Sequence, residues 1–352
     1  MKPKILFVTE KWPQNNPALG QSSLFVTLFK SLSETGLAEM AIGHPDEWWL
    51  LRGEPFDYEL LTEVAVLNTR PDIIIYSWLS CHTGEPELFG RFNPQLRTWH
   101  RIKTIAPTVR LCAIWGDSAW ALSHQAINVL APIFDLHLTL DVKHNTVPED
   151  KFMALWGYPY SKDIFTGSPT DARFIDVSFV GSVSNRPERQ KALSELKERG
   201  INVQHFGGQA EDRLSFDEYA TIFKQSKITL NFSQGTSKGR AKEALLCGAC
   251  LVEPETAITN IWVEPGKDYV TYKMNDKEPD YDDLAKQISY YLANSEDRIA
   301  IATHGYNTVH EKYNSQMWWE AVFTKLGFGE EVPDSDQGVN FDQLTLDRLF
   351  TR

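Results

Sequence analysis

The chain has 352 residues, of which 42% are hydrophobic, 23% charged and 12% aromatic; such a composition builds one large or two ordinary globular domains and excludes a disordered, collagenous or repeat-biased polypeptide. Thirty-five Lys and Arg stand against 47 Asp and Glu, a formal charge of −12, which argues against a nucleic-acid binder working through long-range attraction. No run approaches the roughly 20 apolar residues that span a bilayer, and MKPKILFVTE passes from charge straight into a strand-like segment, with neither a secretion signal nor an anchor.

The first half alternates short apolar runs with helical stretches. Lys4 to Thr9 predicts a buried strand, Pro13 to Gly20 a loop, and Ser22 to Glu34 a helix with Leu24, Leu28 and Leu32 on one face. Asp72 to Ser77, Val109 to Trp115 and Phe134 to Leu140 are further short apolar segments. Buried parallel strands joined by crossover helices explain that spacing.

A second series starts after about residue 165, where Gly167-Ser-Pro-Thr170 breaks the pattern. Phe174 to Val180 predicts a strand, Gly181 to Asn185 a turn, and Pro187 opens a helix that Gly200 ends. Ile201 to Phe206 is the next strand, and Ser215-Phe-Asp-Glu218 is a capping-box signature for a helix through about Gln225. Ile228 to Phe232 then predicts a strand, Ser233 to Gly239 a polar loop, Arg240 to Leu246 a short helix, and Ala249 to Val252 another strand. Asp280 and Ser295 are the expected caps of two further helices, and the tail from Ser315 is aromatic and amphipathic in patches.

The four cysteines, Cys81, Cys112, Cys247 and Cys250, are scattered through a chain long enough to need no staple, which suits a reducing compartment and a cytoplasmic location. Cys247 and Cys250 have C-x-x-C spacing, but no second close pair of Cys or His follows, so no metal is expected.

In a parallel α/β sheet ligands collect beyond the carboxyl ends of the strands. Gly20-Gln-Ser-Ser23 precedes a helix and can present backbone N–H groups to a phosphate, or simply form a loop and cap. Asp117, one glycine beyond a strand, suits a base, an N-cap or a substrate-orienting carboxylate; His82 follows the preceding strand and has an intrinsic pKa suited to proton transfer. The densest cluster is NFSQGTSKGRAKE from Asn231 to Glu243, where Lys238 and Arg240 with a helix start can neutralise a diphosphate while a carboxylate one turn on accepts two ribose hydroxyls. The plainer alternative is that Lys238, Arg240 and Lys242 decorate a solvated helix end.

From Phe174 to Phe323 the chain resembles the two-domain glycosyltransferases of the GT-B type, especially the bacterial spore-maturation-like group with a glycosyltransferase-family-1-like carboxyl half. The marks are FVGSVSNRPER, NFSQGTSKGRAKEALLCGACLVEPE, GKDYVTY and SYYLANSEDRIAIATHGYNTVHEKYN. The resemblance implies an α/β fold of two facing Rossmann-like domains with a C-terminal helical return: residues 1–165 for an acceptor, 166–325 for a nucleotide-sugar donor, and 326–352 packing back on the first domain. It places Glu243 on ribose, Gly248 in the following turn, and Gly181 and Ser182 near phosphate or sugar, with Lys238 and Arg240 on the phosphates. Many retaining members carry a further glutamate eight residues before the ribose carboxylate, where this chain has Gly235.

The implied activity is metal-independent transfer of a sugar from a UDP- or GDP-sugar to a glycan or other hydroxyl acceptor, as in polysaccharide biosynthesis, with Asp117 or His82 as base should the reaction invert. The alternatives are a nucleotide-sugar epimerase, which needs no acceptor, and a noncatalytic carbohydrate- or protein-binding module on the same fold.

Overall fold

The computed structural model describes residues 2–12, 16–19, 21–22, 25–61, 68–77, 93–115, 121–139, 147–154, 158–184, 186–207, 214–232, 239–276 and 278–329. It divides into two compact units, one formed by Met1–Ser161 with the segment that starts at Ser315, the other by Lys162–Asn314.

In the first unit the strands are β1 (Lys4–Val8), β2 (Glu39–Gly43), β3 (Ile73–Ser77), β4 (Arg110–Trp115), β5 (Leu136–Thr139) and β6 (Phe152–Ala154). They form one parallel sheet in the order β2-β1-β3-β4-β5-β6. Helices α1 (Ser31–Thr35), α2 (Pro45–Arg52), α3 (Phe56–Leu61), α4 (Leu96–Ile105) and α5 (Ala121–Leu130) connect them. β3 is buried along its whole length, as expected for a parallel strand covered on both faces. Leu6, Ile74, Tyr76, Trp99, Leu111 and Phe134 make the core on one side of this sheet.

The helix expected over Ser22 to Glu34 differs from the prediction: Phe25–Lys30 is a π-helical turn, and α-helical geometry starts only at Ser31. β2 and β6 went unpredicted because they are the two edges of the sheet. β2 begins with Glu39, ends with Gly43 and is only half-buried, so it lacks the continuous apolar run that marks a central strand.

The second unit repeats the plan with β7 (Ile175–Val180), α6 (Pro187–Glu198), β8 (Gln204–Phe206), α7 (Phe216–Gln225), β9 (Ser226–Leu230), α8 (Arg240–Leu246), β10 (Cys250–Pro254), β11 (Val270–Tyr272), α9 (Tyr281–Ala293) and α10 (Ser295–Lys312). Its parallel sheet runs β11-β10-β9-β7-β8. Val177, Phe179, Ile228, Leu230, Val252, Leu284 and Ile288 fill its core. The predicted capping box is present: Glu218 N–H donates to Ser215 Oγ at 3.3 Å, and Ser215 N–H donates to Glu218 Oε2 at 2.8 Å. Asp280 caps α9 by accepting from Asp283 N–H at 3.0 Å. Ser295 does not cap α10. Only Asn294 separates α9 from α10, so Asn294 occupies the cap position and Ser295 is already helical.

Helix α11 (Ser315–Lys325) belongs to the first unit, whereas the sequence boundaries fall near 165 and 325. Trp318 and Trp319 are fully buried, Trp319 Nε1 donates to Ser31 Oγ at 3.1 Å, and the Trp319 ring meets Phe7 edge-on at 6.3 Å. Ser315 Oγ accepts from Tyr160 N–H at 2.7 Å and donates to the Tyr160 carbonyl at 2.6 Å.

Both sheets share one switch pattern. The chain steps from its first strand to a neighbour on one side, then crosses to the other side, so the crevice opens beyond β1 and β3 in the first unit and beyond β7 and β9 in the second.

Candidate functional site

The second crevice is built where β7 and β9 end. β7 delivers Gly181, whose φ of +147° lies outside the range that residues with a Cβ adopt readily. Its N–H donates to the Phe206 carbonyl at 2.9 Å, and its carbonyl pairs with His205 Nε2 at 2.8 Å. The His205 ring stacks on Phe179 with centroids 5.6 Å apart. Ser182 follows, its carbonyl accepting from Arg189 Nη1 at 2.8 Å, and the chain then enters α6 at Pro187.

Two guanidinium groups gather on one aromatic ring. Arg240 lies 5.5 Å and Arg189 5.8 Å from the Phe179 centroid. Burial, then the like charge of Arg240, bring the Arg189 pKa down to about 10. Two cations forced together in a partly dry place form a site that an anion relieves. Arg189 carried no assigned role in the sequence, although it stands inside the FVGSVSNRPER segment.

Arg240 is held from below. Its Nη1 donates to Asn231 Oδ1 at 3.0 Å, and Asn231 Nδ2 donates to Glu253 Oε1. Asn231 directly follows β9, and Glu253 lies in β10, both fully or nearly fully buried. Burial pushes the Glu253 carboxyl up to about 7, against the opposing effects of Thr259, Asn231 and the Arg240 charge. Glu253 Oε2 is buried with no hydrogen-bond partner among the described residues.

One turn along α8 from Arg240 is Glu243, on the same helix face by its i, i+3 spacing. The Tyr219 hydroxyl donates to Glu243 Oε2 at 2.5 Å. Burial and the Glu243 charge raise the Tyr219 pKa well above its ordinary value, so the phenol remains a donor. An ionised carboxylate has about four acceptor positions, enough for a diol besides this bond.

The solvated-helix-end alternative does not survive at Lys242, which is 1% exposed and driven toward its neutral amine by burial. Gly248 follows α8 with φ +69°, donating to Leu245 O at 2.9 Å while Ala249 donates to Ala244 O at 3.0 Å, a Schellman-type close. A Cβ on Gly248 would stand 2.6 Å from Pro169 N. Cys247 and Cys250 are buried, with both thiols pushed up to about 12 by burial, which disfavours the thiolate that metal or redox chemistry needs. No group of three His, Cys, Asp or Glu side chains placed to hold a metal occurs among the described residues.

Gly20, His82, Asp117 and Lys238 lie outside the described residues. Of the predicted site residues the structure therefore brings together Gly181, Ser182, Arg240 and Glu243, with Gly248 at the far end of α8. In the first unit a cavity of about 560 Å³ lies against β1, β2, α2 and α3, lined by Trp48 and Phe56 with Lys11, His44, Glu47 and Thr69 as its polar groups.

Residues 186–324 match the family described as glycosyl transferase-like. The structure is similar to that of HepE from Anabaena, solved with UDP and glucose, at 12% identity and a TM-score of 0.53 over 92% of this chain and 99% of that one; HepE has also been solved with UDP-glucose. It is similar as well to a glycosyltransferase from Rickettsia africae, at 11% identity and a TM-score of 0.56 over 92% and 99% of the two chains. TarM of S. aureus shows 10% identity and a TM-score of 0.51 over 76% of this chain and 57% of that one. No curated protein matches the sequence. Residues 186–324 are thus similar to a glycosyl transferase-like domain, and the two Rossmann-like units with their returning helix have the GT-B fold.

Proposed function

We propose that this protein is a glycosyltransferase that takes a sugar from a nucleotide-diphosphate donor bound in the second unit and passes it to a hydroxyl acceptor held by the first. The observation that carries this reading is the placement of Arg240, clamped by Asn231 beside Gly181, with the Glu243 carboxylate one turn further along α8. Cationic groups at one end and a carboxylate at the other match a diphosphate and the ribose diol next to it. The crevice of a 2-1-3-ordered parallel sheet is where such a ligand sits. The UDP and UDP-glucose bound by HepE favour a uridine diphosphate sugar.

In this reading the bond between the anomeric carbon and the diphosphate breaks, and Arg189, Arg240 and loop amides stabilise the charge left on the nucleotide. Asp117 or His82 is the candidate base that takes the acceptor proton if the outcome is inverting. The half-buried Trp48 on the wall of the first-unit cavity suits contact with a sugar face or another apolar ring of the acceptor. The buried free thiols of Cys112, Cys247 and Cys250 suit a reducing, cytoplasmic location.

Calorimetric titration with UDP, GDP, dTDP, ADP and CMP, in the wild-type protein and Glu243→Ala, tests the reading. Selective binding by one nucleotide, weakened at least tenfold by the substitution, is expected. A folded protein that binds none of them overturns the donor assignment. Turnover of the donor alone to an isomer would replace transfer with epimerisation.

A further inference from the structure

Glu253 is the feature that this function leaves unused. It sits fully buried in β10, at a register where β9 and β10 pair Leu230 with Val252 and so bring Asn231 beside it. One carboxylate oxygen accepts from Asn231; among the described residues the other has no partner at hydrogen-bond distance, although Thr259 stands close enough to favour the ionised form, and the Tyr269 hydroxyl is likewise buried without a partner. An ionised carboxylate with an orphaned oxygen in a dry place is unfavourable, and taking up a proton relieves it. The same carboxylate is tied through Asn231 to Arg240, whose guanidinium faces the anion crevice from the other side.

We infer that Glu253 is a positioning residue that couples occupancy of the phosphate site to a proton: a bound diphosphate draws on Arg240, and Glu253 takes a proton from solvent in response. This rests on the donor reading of the Arg189 and Arg240 cluster. Arg240 stands between the Gly181 turn on the ligand side and the Asn231–Glu253 pair on the other. An incoming anion offsets the Arg240 charge that helps to keep Glu253 ionised, and Glu253 already balances near pH 7. The other groups facing it are Thr259 from the turn at Ile258–Ile261, and Tyr269 and Tyr272 from the segment entering and ending β11, with Asp268 next to Tyr269. Both phenols are raised by burial and by Glu253, so neither ionises in this range, and among the described residues Arg240 is the cation that stabilises the carboxylate. By reciprocity, protonation of Glu253 strengthens the hold on the diphosphate.

The test is calorimetry of the full chain with UDP-glucose without acceptor, at pH 7 in two buffers of different ionisation enthalpy. UDP-glucose is chosen because its phosphates, being esterified, do not titrate near pH 7. Expected are proton uptake of between zero and one per site in the wild type, an affinity about three- to tenfold weaker at pH 8 than at pH 6, and loss of both effects in a folded Glu253→Gln that still binds. Uptake that persists in Glu253→Gln, or a buffer-independent enthalpy in the wild type, overturns the proposal while leaving the donor site intact. A carbon-13 titration of the glutamate carboxyls, with Glu253→Gln identifying the resonance, reads Glu253 independently of donor chemistry. A midpoint near 7 that sulfate moves upward supports the coupling. An ordinary carboxyl midpoint, or one indifferent to sulfate, overturns it, and failure of every nucleotide sugar to bind overturns the donor reading instead.

Discussion

A Cβ placed on Gly181 would stand 2.5 Å from Nη2 of Arg240, so the bare backbone of the β7 turn is the surface on which the guanidinium rests. Gly181→Ala therefore does two things. It strains a backbone held at φ +147°, at a cost of about 1 kcal/mol, and it pushes Arg240 off its seat. Nucleotide affinity is expected to fall about tenfold or more, a loss of one charge-assisted contact, with a smaller drop in thermal stability. Unchanged affinity in calorimetry would remove Arg240 from the phosphate grip.

The bond from Tyr219 to Glu243 makes a second, separable prediction. If Glu243 holds a ribose diol, the wild type binds UDP more tightly than 2′-deoxy-UDP, and Glu243→Ala binds both alike. Tyr219→Phe leaves the carboxylate in place but frees it to turn, so UDP affinity should fall about two- to tenfold, the worth of one hydrogen bond to a charged group. Equal discrimination in wild type and Glu243→Ala would take ribose away from this residue.

Glu253 also sets a stability profile. Its carboxyl is raised to about 7 in the folded protein against an ordinary value of 4.5, so between these pH values the folded state binds the extra proton. Its contribution is most favourable below 4.5 and is lost as pH rises through 7, up to about 3 kcal/mol. Glu253→Gln has no such loss, so its stability relative to wild type should improve from pH 5 to pH 8 in urea titrations. A constant difference across that range would show that Glu253 is an ordinary acid.

Arg173 is a structural tie with no place in the crevice. Its Nη1 donates to the carbonyls of Phe223 and Ser226 at 2.8 Å each, and its Nη2 to those of Ser168 at 2.8 Å and Cys247 at 2.9 Å. One planar fork thus closes the carboxyl ends of α7 and α8. Arg173→Met should cost about 3 kcal/mol or more, since several carbonyls lose a charged donor together, and Arg173→Lys should recover only a fraction of it because an ammonium cannot reproduce the fork. Denaturation with nucleotide affinity measured in parallel distinguishes this structural role from a binding one.

Much of this could be read in the residues themselves. Ile175, Val177 and Phe179 alternate, Ser215 and Glu218 carry a local cap, and Arg240 with Glu243 lie three apart on one helix, so each signal sits within a few positions of chain. What stayed hidden depends on register between distant segments. Asn231 is a bridge only because β9 lies beside β10, and Glu253 carries no sequence signal because nothing nearby in the chain says that the end of β10 is covered. Arg189 became part of the cluster through the shared Phe179 ring, a meeting between two helices and a strand. The edge strands β2 and β6 lacked a sequence signal for the opposite reason, their burial being too slight to demand apolar residues throughout.

The return of α11 bears on how the protein is made. Trp319 completes the packing around Phe7 and Ser31, and Ser315 closes both backbone groups of Tyr160, so the first unit is discontinuous in the chain. During synthesis its sheet leaves the ribosome long before its last helix does. The amino-terminal segment must wait, with the seat of Trp319 unfilled, until the entire second unit has emerged. The second unit, continuous from Lys162 to Asn314, has no such delay. The second unit can therefore finish folding first, although it is translated second.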